Sequence, residues 1–449
     1  MTADSATMQI IEAALIESGA DQSEVVVISE RTRLTRFANS AIHQNLSEKK
    51  HRVTVRAVVG KRVGCATTNR LTADSIRSTA QKAAQLARLA EENPDFVSLP
   101  SPVPIPAART HFEPTARCRP EDRAQAVKTI AAIAAESGCT ASGSFLVTEV
   151  EVAVANSLGV RAHQSLTESA LTVIASESGP GLSGYETATG YAHWAGRDLS
   201  ALDVETIARK AVEKCVAGRK PIAVQPGDYA AILEPPAVAA LLMFLGWIGF
   251  GATAVQEGRS FLCGHMGERV MHDSISIWDD GLDARGLVMP FDFEGVAKQR
   301  VDLIERGVAK GIVYDSYTAH KEGKKSTGHA FPAPNPYGPG PSNLVMATGS
   351  HSLQEMIAAT ERGLLVTRFH YVNVVHPKRT ILTGMTRDGT FLVEAGKITR
   401  AVRNLRFTQN VVETLGEVDA VGSDAALHQA EGCYCPALKL PRFSFTSTA

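Results

Sequence analysis

The chain has almost no charge of either sign to spare: 46 Lys plus Arg stand against 47 Asp plus Glu, a formal net charge of -1. Such balance gives no overall field to attract DNA or an anionic membrane, so neither nucleic acid nor membrane is an expected partner. Cysteine is sparse as well. The seven residues lie far apart except for Cys433 and Cys435, and an odd, dispersed set is not a disulfide framework, which makes the cytoplasm the expected compartment. No basic segment leading into an apolar run opens the chain. Residues 1–19 carry Asp4, Glu12 and Glu17, and the spacing of Ile10, Ile11, Ala14 and Leu15 predicts an amphipathic helix in place of a secretory signal. One stretch lacks charge altogether: residues 235–255 are long enough to cross a bilayer. The Pro235–Pro236 pair, Gly246, Gly249, Gly251 and the lack of basic bias between the flanks favour a buried helix running into a glycine-rich connection.

Several chemical signatures are missing. No phosphate loop and no dinucleotide-binding glycine fingerprint occurs. Neither Ser183-Gly184 nor Ser350-His351 has the elbow pattern of a nucleophilic serine. Among the thirteen histidines none begins a His-Glu pair followed by a second His at metalloprotease spacing. The nearest substitutes for a metal ligand set are Cys263, His265, His272 and Asp273, or the terminal group His428, Glu431, Cys433 and Cys435. Lys321, Lys324 and Lys325 could attract phosphate or carboxylate, although a charged loop is usually only solvated.

What is present reads as an α+β protein. At 449 residues, with 44% hydrophobic and 21% charged side chains, the chain can bury more than one core, and two or three domains are expected. From residue 51, Val53, Val55, Ala57 and Val59 alternate with Arg52, Thr54 and Arg56, and Gly60-Lys61 supplies a hairpin turn. Thr72 then caps a helix whose stripe is Ala73, Ile76, Ala80, Ala83, Ala84, Ala87 and Ala90. This N-terminal α+β domain spans 1–92. Pro94, Pro100, Pro102, Pro104, Pro106 and Pro114 mark 93–120 as a linker. A central α+β domain follows at 121–218, with a helix over 121–137 and a turn at 156–159 between strands. The C-terminal domain takes 219–449, starting with a strand over 229–233. Residues 331–343 (FPAPNPYGPGPSN) must be a loop, because prolines cannot feed a sheet ladder, and Asn335, Tyr337 and Asn343 become candidate peptide-groove residues. Ser352 and Glu355 have capping-box spacing for a helix ending near Gly363, with a strand over 364–367. No tandem repeat or low-complexity tail is visible.

Taken in order, the hairpin VTVRAVVGKRVGCATTNRLT, ANSLG (155–159), SNLVMATGSHSLQEMI (342–357), GLLVT (363–367), LTGMTRDGTFLVEAGKI (382–398) and Asn410 resemble the TldD/PmbA family, also described as modulators of DNA gyrase and viewed as metalloproteases. The resemblance runs over most of the chain. It implies N-terminal α/β units with an antiparallel sheet and a larger, mostly β C-terminal domain. In the TldD branch, a helix after the domain boundary carries His-Glu-x-x-x-His; both histidines bind zinc and the glutamate is the general base. Placing Gly246 on the glycine of that motif leaves Leu242, Met243 and Trp247 at those three positions. Leu has no lone pair, Met offers a weak thioether, and Trp donates without accepting.

That departure resembles the TldE/PmbA branch. It implies a chain with no catalytic residue, metal or cofactor of its own, paired with a TldD-like metalloprotease subunit that holds the zinc, and acting on unfolded peptide. Two alternatives stand beside it. One is a homodimeric peptidase that assembles a metal site from Cys263, His265 and His272. The other is a regulator associated with gyrase or DNA.

Overall fold

A computed structural model describes residues 3–177 and 187–448. The first half of the chain uses one element order twice. Helix α1 (Ala3–Glu17) leads into strands β1 (Gln22–Ala38), β2 (Ala41–Val59) and β3 (Arg62–Thr68), and α2 (Ala73–Leu89) closes the unit. After a short α3 (Glu113–Ala116), helix α4 (Pro120–Glu136) leads into β4 (Cys139–Asn156), β5 (Arg161–Glu177) and β6 (Thr189–Gly196), closed by α5 (Val204–Ala217). The two triplets join through β1 and β4 into a single six-stranded antiparallel sheet, ordered β3-β2-β1-β4-β5-β6. No repeat is visible in the sequence, yet the packing repeats too. A Cβ on Gly64 of β3 would lie 2.3 Å from the Ala87 nitrogen of α2, and one on Gly190 of β6 would lie 2.2 Å from the Ala211 oxygen of α5. In each half a helix rests directly on the backbone of the third strand, where only a glycine fits.

Local chemistry explains these elements. Thr72 caps α2 by accepting from the Ser75 amide, and Ile76, Ala80, Ala83, Ala84 and Ala87 form its buried stripe as the spacing predicts, whereas Ala73 in the first turn is exposed and Ala90 is the C-cap, half-buried beyond the last turn. Gly60, at φ +60°, makes the tight turn between β2 and β3. Strand β2 begins ten residues before the alternation that marks it in the sequence, because residues 41–50 are almost wholly exposed and carry no one-sided pattern. Residues 93–112 form no regular element, in keeping with their prolines, but they are strapped down. Asn156 donates to the Pro100 carbonyl at 2.8 Å, Thr110 donates to Ser165 at 2.6 Å, and Phe96 and Leu99 are buried.

The rest of the chain builds a second, larger sheet. Its elements are β7 (Gly227–Leu233), α6 (Pro235–Gly249), α7 (Ala252–Gln256), β8 (Ile277–Asp279), β9 (Val301–Glu305), β10 (Val308–Ala309), α8 (Ser316–Lys321), β11 (Leu344–Met346) and α9 (Leu353–Ala358). Then follow β12 (Arg362–His376), β13 (Ile381–Glu394), β14 (Lys397–Ala401), β15 (Leu405–Asn410), α10 (Val411–Gly416), β16 (Ala420–His428) and β17 (Cys433–Thr448). These strands form an eleven-stranded mixed sheet in which β7 lies parallel to β12 and antiparallel to β17. Helix α6 packs across β12 and β17 over a core of Leu233, Leu245, Phe369, Phe407 and Phe443. The fold is therefore α+β, with an N-terminal antiparallel sheet and a larger, mostly strand C-terminal domain. Helix α9 has the expected capping box but ends at Ala358, five residues before Gly363. The Thr360 hydroxyl turns back onto the Met356 carbonyl, and the amides of Ala395 and Gly396 draw Glu361 and Thr360 toward the β13–β14 turn.

The N-terminal sheet is covered on both sides. Val25, Val27, Val53 and Val55 face α1 and α2, whereas Val26, Val152, Val154 and Leu166 face Phe291 of the C-terminal domain. That second contact creates the seam in which most buried charge lies.

Candidate functional site

Helix α6 starts on Pro235 and Pro236, whose fixed φ suits a first turn, behind Glu234, which the Lys214 ammonium of α5 grips at 2.8 and 2.9 Å. Fifteen residues long, it is shorter than the uncharged stretch that contains it. No helix among the described residues is long and apolar enough to cross a membrane. Leu242 is sealed in the core at 1% exposure, Met243 packs at the edge of that core, and Trp247 is 63% exposed beside Phe244. The three positions thus point into different surroundings. None of the helix's fifteen residues is a His, Cys, Asp or Glu. The donor set of α6 does not fit a zinc ion, whatever register is chosen along it.

The proline-rich loop meets the end of this helix. A Cβ on Gly246 would come within 2.9 Å of Leu344 and 3.1 Å of Pro341, so the missing side chain is what lets the loop lie against α6. The three loop residues singled out from the sequence separate. Asn335 folds an Asx turn, accepting from the Tyr337 amide at 3.0 Å, and lines a cavity of about 200 Å³ together with Arg56, Asp315, His320 and Phe331. Tyr337 is 70% exposed. Asn343 is buried, accepting from the Leu287 amide at 2.5 Å and donating to the Asp280 carbonyl at 2.6 Å, so it pins a neighbouring loop instead of facing a groove.

The substitute ligand sets do not assemble either. The Cys263 thiol turns to the Val255 carbonyl, the exposed His265 pairs with Glu268 at 2.7 Å, and the exposed His272 bonds Ser274 at 2.8 Å. In the terminal group, Cys433 and Cys435 pack toward the first turns of α6, at the Ala239 and Pro235 carbonyls, while His428 stacks on His193 of β6 at 5.5 Å. Burial drives both imidazoles down, His193 to about 4 and His428 to about 3, and pushes the Glu431 carboxyl up. Among the described residues no group of three or more His, Cys, Asp or Glu is placed to hold a metal ion. Lys321 and Lys324 are answered by Asp95 at 3.5 Å and Glu322 at 2.7 Å. Ser350 and His351 are exposed, and Ser183-Gly184 lies outside the described residues.

The seam between the N-terminal sheet and the C-terminal domain holds the charged groups that sequence reasoning missed. Arg56 of β2 donates to Glu24 of β1 at 2.7 Å and to Glu294 at 2.9 Å. Burial raises Glu24 to about 7 against the pull of that guanidinium. At Glu294 burial also opposes ionisation, but Arg56 and the Ser316 amide outweigh it and keep the carboxyl below its usual range. Nearby, Asp279 and His329 are fully buried and bonded at 2.8 Å, and Asp279 also accepts from the Ser342 and Asn343 amides at 2.6 and 2.7 Å. Burial works against the Asp279 charge, yet His329, Lys298 and the Asn343 amide outweigh it and bring its pKa down to about 2. Each partner lies dozens to hundreds of positions from the next in sequence, so no short motif could have announced them.

Three models of one family match consecutive parts of the chain: PmbA/TldA metallopeptidase domain 1 at residues 23–87, the central domain at 118–219 and the C-terminal domain at 226–447. An uncharacterized protein of Methanocaldococcus jannaschii is 36% identical over 158 residues, 34% of this chain and 37% of its own length. Metalloprotease PmbA of Escherichia coli is 28% identical over 217 residues, 46% of this chain and 45% of its own. The chain thus matches less than half the length of either curated relative. By fold, it superposes on TldE from Thermococcus kodakarensis with a TM-score of 0.90 at 22% identity, covering 98% of this chain and 100% of that one. A putative modulator of a DNA gyrase from Thermotoga maritima gives 0.84 at 20% identity, covering 99% and 100%. Matched domain by domain in the same order, and sharing the architecture, the chain belongs to the PmbA/TldD family of metallopeptidase-related proteins.

Proposed function

We propose that the chain is a non-catalytic, TldE/PmbA-like subunit of a TldD/TldE-type metalloprotease complex, acting in proteolysis or peptide maturation with a TldD-like partner that supplies the zinc. One observation carries the reading: α6, the helix on which the catalytic branch is expected to carry its metal ligands, offers only apolar side chains, with Leu242 closed into the core. A helix so built supports the wall of a complex and has no group to polarise a carbonyl or activate water. Trp247, Phe331 and Tyr337 stand exposed on α6 and the adjoining loop, large aromatic surfaces of the kind that protein partners cover.

The test is purification of the tagged chain from its native cell, with metal analysis and peptide cleavage measured on the chain alone and on any complex recovered. The expected result is a metal-free chain, inactive alone, that co-purifies with a zinc-bearing relative, and chelator-sensitive cleavage only in the complex. Stoichiometric zinc and chelator-sensitive cleavage in the isolated chain would reject the reading.

A further inference from the structure

Helix α5 lies close enough to the central strands for two cysteines far apart in the chain to meet. At Gly190 of β6 a Cβ would stand 2.3 Å from the Cys215 nitrogen, so the bare backbone there lets the last turn of α5 settle onto the sheet. Cys139 opens β4 and pairs with Glu177 of β5. The Cys139 and Cys215 sulfurs, both free thiols, are 3.7 Å apart across 76 residues of sequence.

Buried free cysteines are ordinarily inert packing, small apolar groups with a weak donor. Three features set this pair apart. The contact is sulfur to sulfur, and a disulfide at about 2.05 Å requires the two to close by about 1.7 Å. Both residues stand at element ends, the first position of β4 and the last turn of α5, where backbone gives more readily than in mid-element. A cation also touches one of the sulfurs: the Arg219 Nη2 donates to Cys139 at 3.7 Å and to the Ser137 carbonyl at 2.7 Å, while Glu177 answers the guanidinium at 3.4 Å. The charges of that corner balance, so what Arg219 supplies is a donor aimed at the sulfur, and such a bond strengthens as negative charge gathers on its acceptor. The two thiols are not equivalent. Cys139 is 4% exposed, whereas Cys215 is 0% exposed and donates to the Ala188 carbonyl at 3.3 Å, with burial and the neighbouring Cys139 pushing its thiol up. Cys139 is thus the sulfur that a small oxidant reaches first.

We infer that Cys139 and Cys215 form a reversible dithiol–disulfide site, oxidised by hydrogen peroxide or a small organic peroxide. Cys139, its proton given up to water, attacks the peroxide; the O–O bond breaks, an S–O bond forms, and the departing oxygen leaves protonated as water or alcohol. The Cys215 sulfur then attacks the sulfur of that sulfenic acid. The S–O bond breaks as the S–S bond forms, and the Cys215 proton departs with the hydroxide as water. The peroxide gains the two electrons that the pair of sulfurs loses. The product staples α5 to the first residue of β4. Lys214 of the same turn holds Glu234 at the head of α6, so the staple fixes the end of α5 from which α6 is gripped.

The test uses the whole purified chain, reduced and then exposed under native conditions to hydrogen peroxide in small excess; thiols are counted in denaturant and the unreduced digest is mapped by mass spectrometry. The seven thiols of the parent are expected to fall to five, with the Cys139 and Cys215 peptides joined and dithiothreitol restoring all seven. Seven thiols remaining after peroxide, a bond between Cys433 and Cys435 in place of this one, or thiols lost to sulfinic and sulfonic acids without a linked peptide each overturns the inference. These readings come from the parent chain and hold whether or not a variant folds. In Cys215→Ser the Cys139 sulfenic acid has no partner and is expected to be trapped by dimedone. A folded variant that takes no label at Cys139 overturns its assignment as the attacking sulfur.

Discussion

Replacing Arg56 by Met removes the guanidinium that Glu24 and Glu294 share across the seam. The side chains involved are only 14%, 2% and 7% exposed, so water cannot take over its role. Stranding a buried charge by deleting its partner costs roughly 3–5 kcal/mol. A carboxyl can escape part of that cost by taking up a proton. Glu24 is already near that point, with a folded pKa of about 7 set by burial, whereas Glu294 is held ionised by Arg56 and Ser316 and becomes the stranded charge. The loss is therefore expected to be about 3 kcal/mol near pH 8 and about 1 kcal/mol near pH 5.5, where protonation relieves both groups. In the parent, Glu24 acts in the same direction. Its folded pKa exceeds the unfolded 4.5, so the stability it adds is complete below 4.5 and is lost as pH rises through about 7. Because the chain has more than one core, the unfolding midpoint is the quantity to compare. At about 2–4 °C per kcal/mol, scanning calorimetry should show the variant melting about 6–12 °C lower at the higher pH. A midpoint unchanged at both pH values, or a deficit that grows as pH falls, would refute the reasoning.

Other consequences can be measured directly. Gly64→Ala and Gly190→Ala each push a methyl to within 2.3 Å of helix backbone, so each should lower stability by about 1–3 kcal/mol in thermal melts, and a neutral result at either would break the equivalence of the two halves. Leu242→His places an imidazole in a sealed apolar site and should destabilise by about 2–5 kcal/mol. Combined with Met243→Glu and Trp247→His, it should still bind no stoichiometric zinc by equilibrium dialysis, because Leu242 and Trp247 face core and solvent respectively. Trp247→Ala should change the melting of the isolated chain by no more than about 0.5 kcal/mol, as an exposed side chain does, and should reduce recovery of a partner in co-purification.

How much of this could be read beforehand depended on whether the signal was local. The stripe of α2, its Thr72 cap, the turn at Gly60 and the capping box at Ser352 were all legible, because each is decided by residues within a few positions of one another. The α9 end and the outer half of β2 were not, since the first is set by hydrogen bonds from the distant β13–β14 turn and the second is exposed along nearly all its length. Arg56 shows the limit most clearly. Alternation along β2 places it, with Thr54, opposite the valines, and a polar residue opposite a buried row reads as facing water. Yet Thr54 is 2% exposed and the Arg56 side chain 14%. Period two tells which side of a sheet a residue occupies, not what covers that side. Here helices cover one face and a second domain the other, so the residues that look solvated are the ones that weld the domains together. The same reasoning separates two kinds of absence. The lack of ligands on α6 was visible in its letters alone, because it needs no partner to be true. The buried charge of the seam was invisible, because Arg197 meets Glu168, and Lys298 the field of Asp279, only once the chain has folded strands and loops far apart in sequence onto one another.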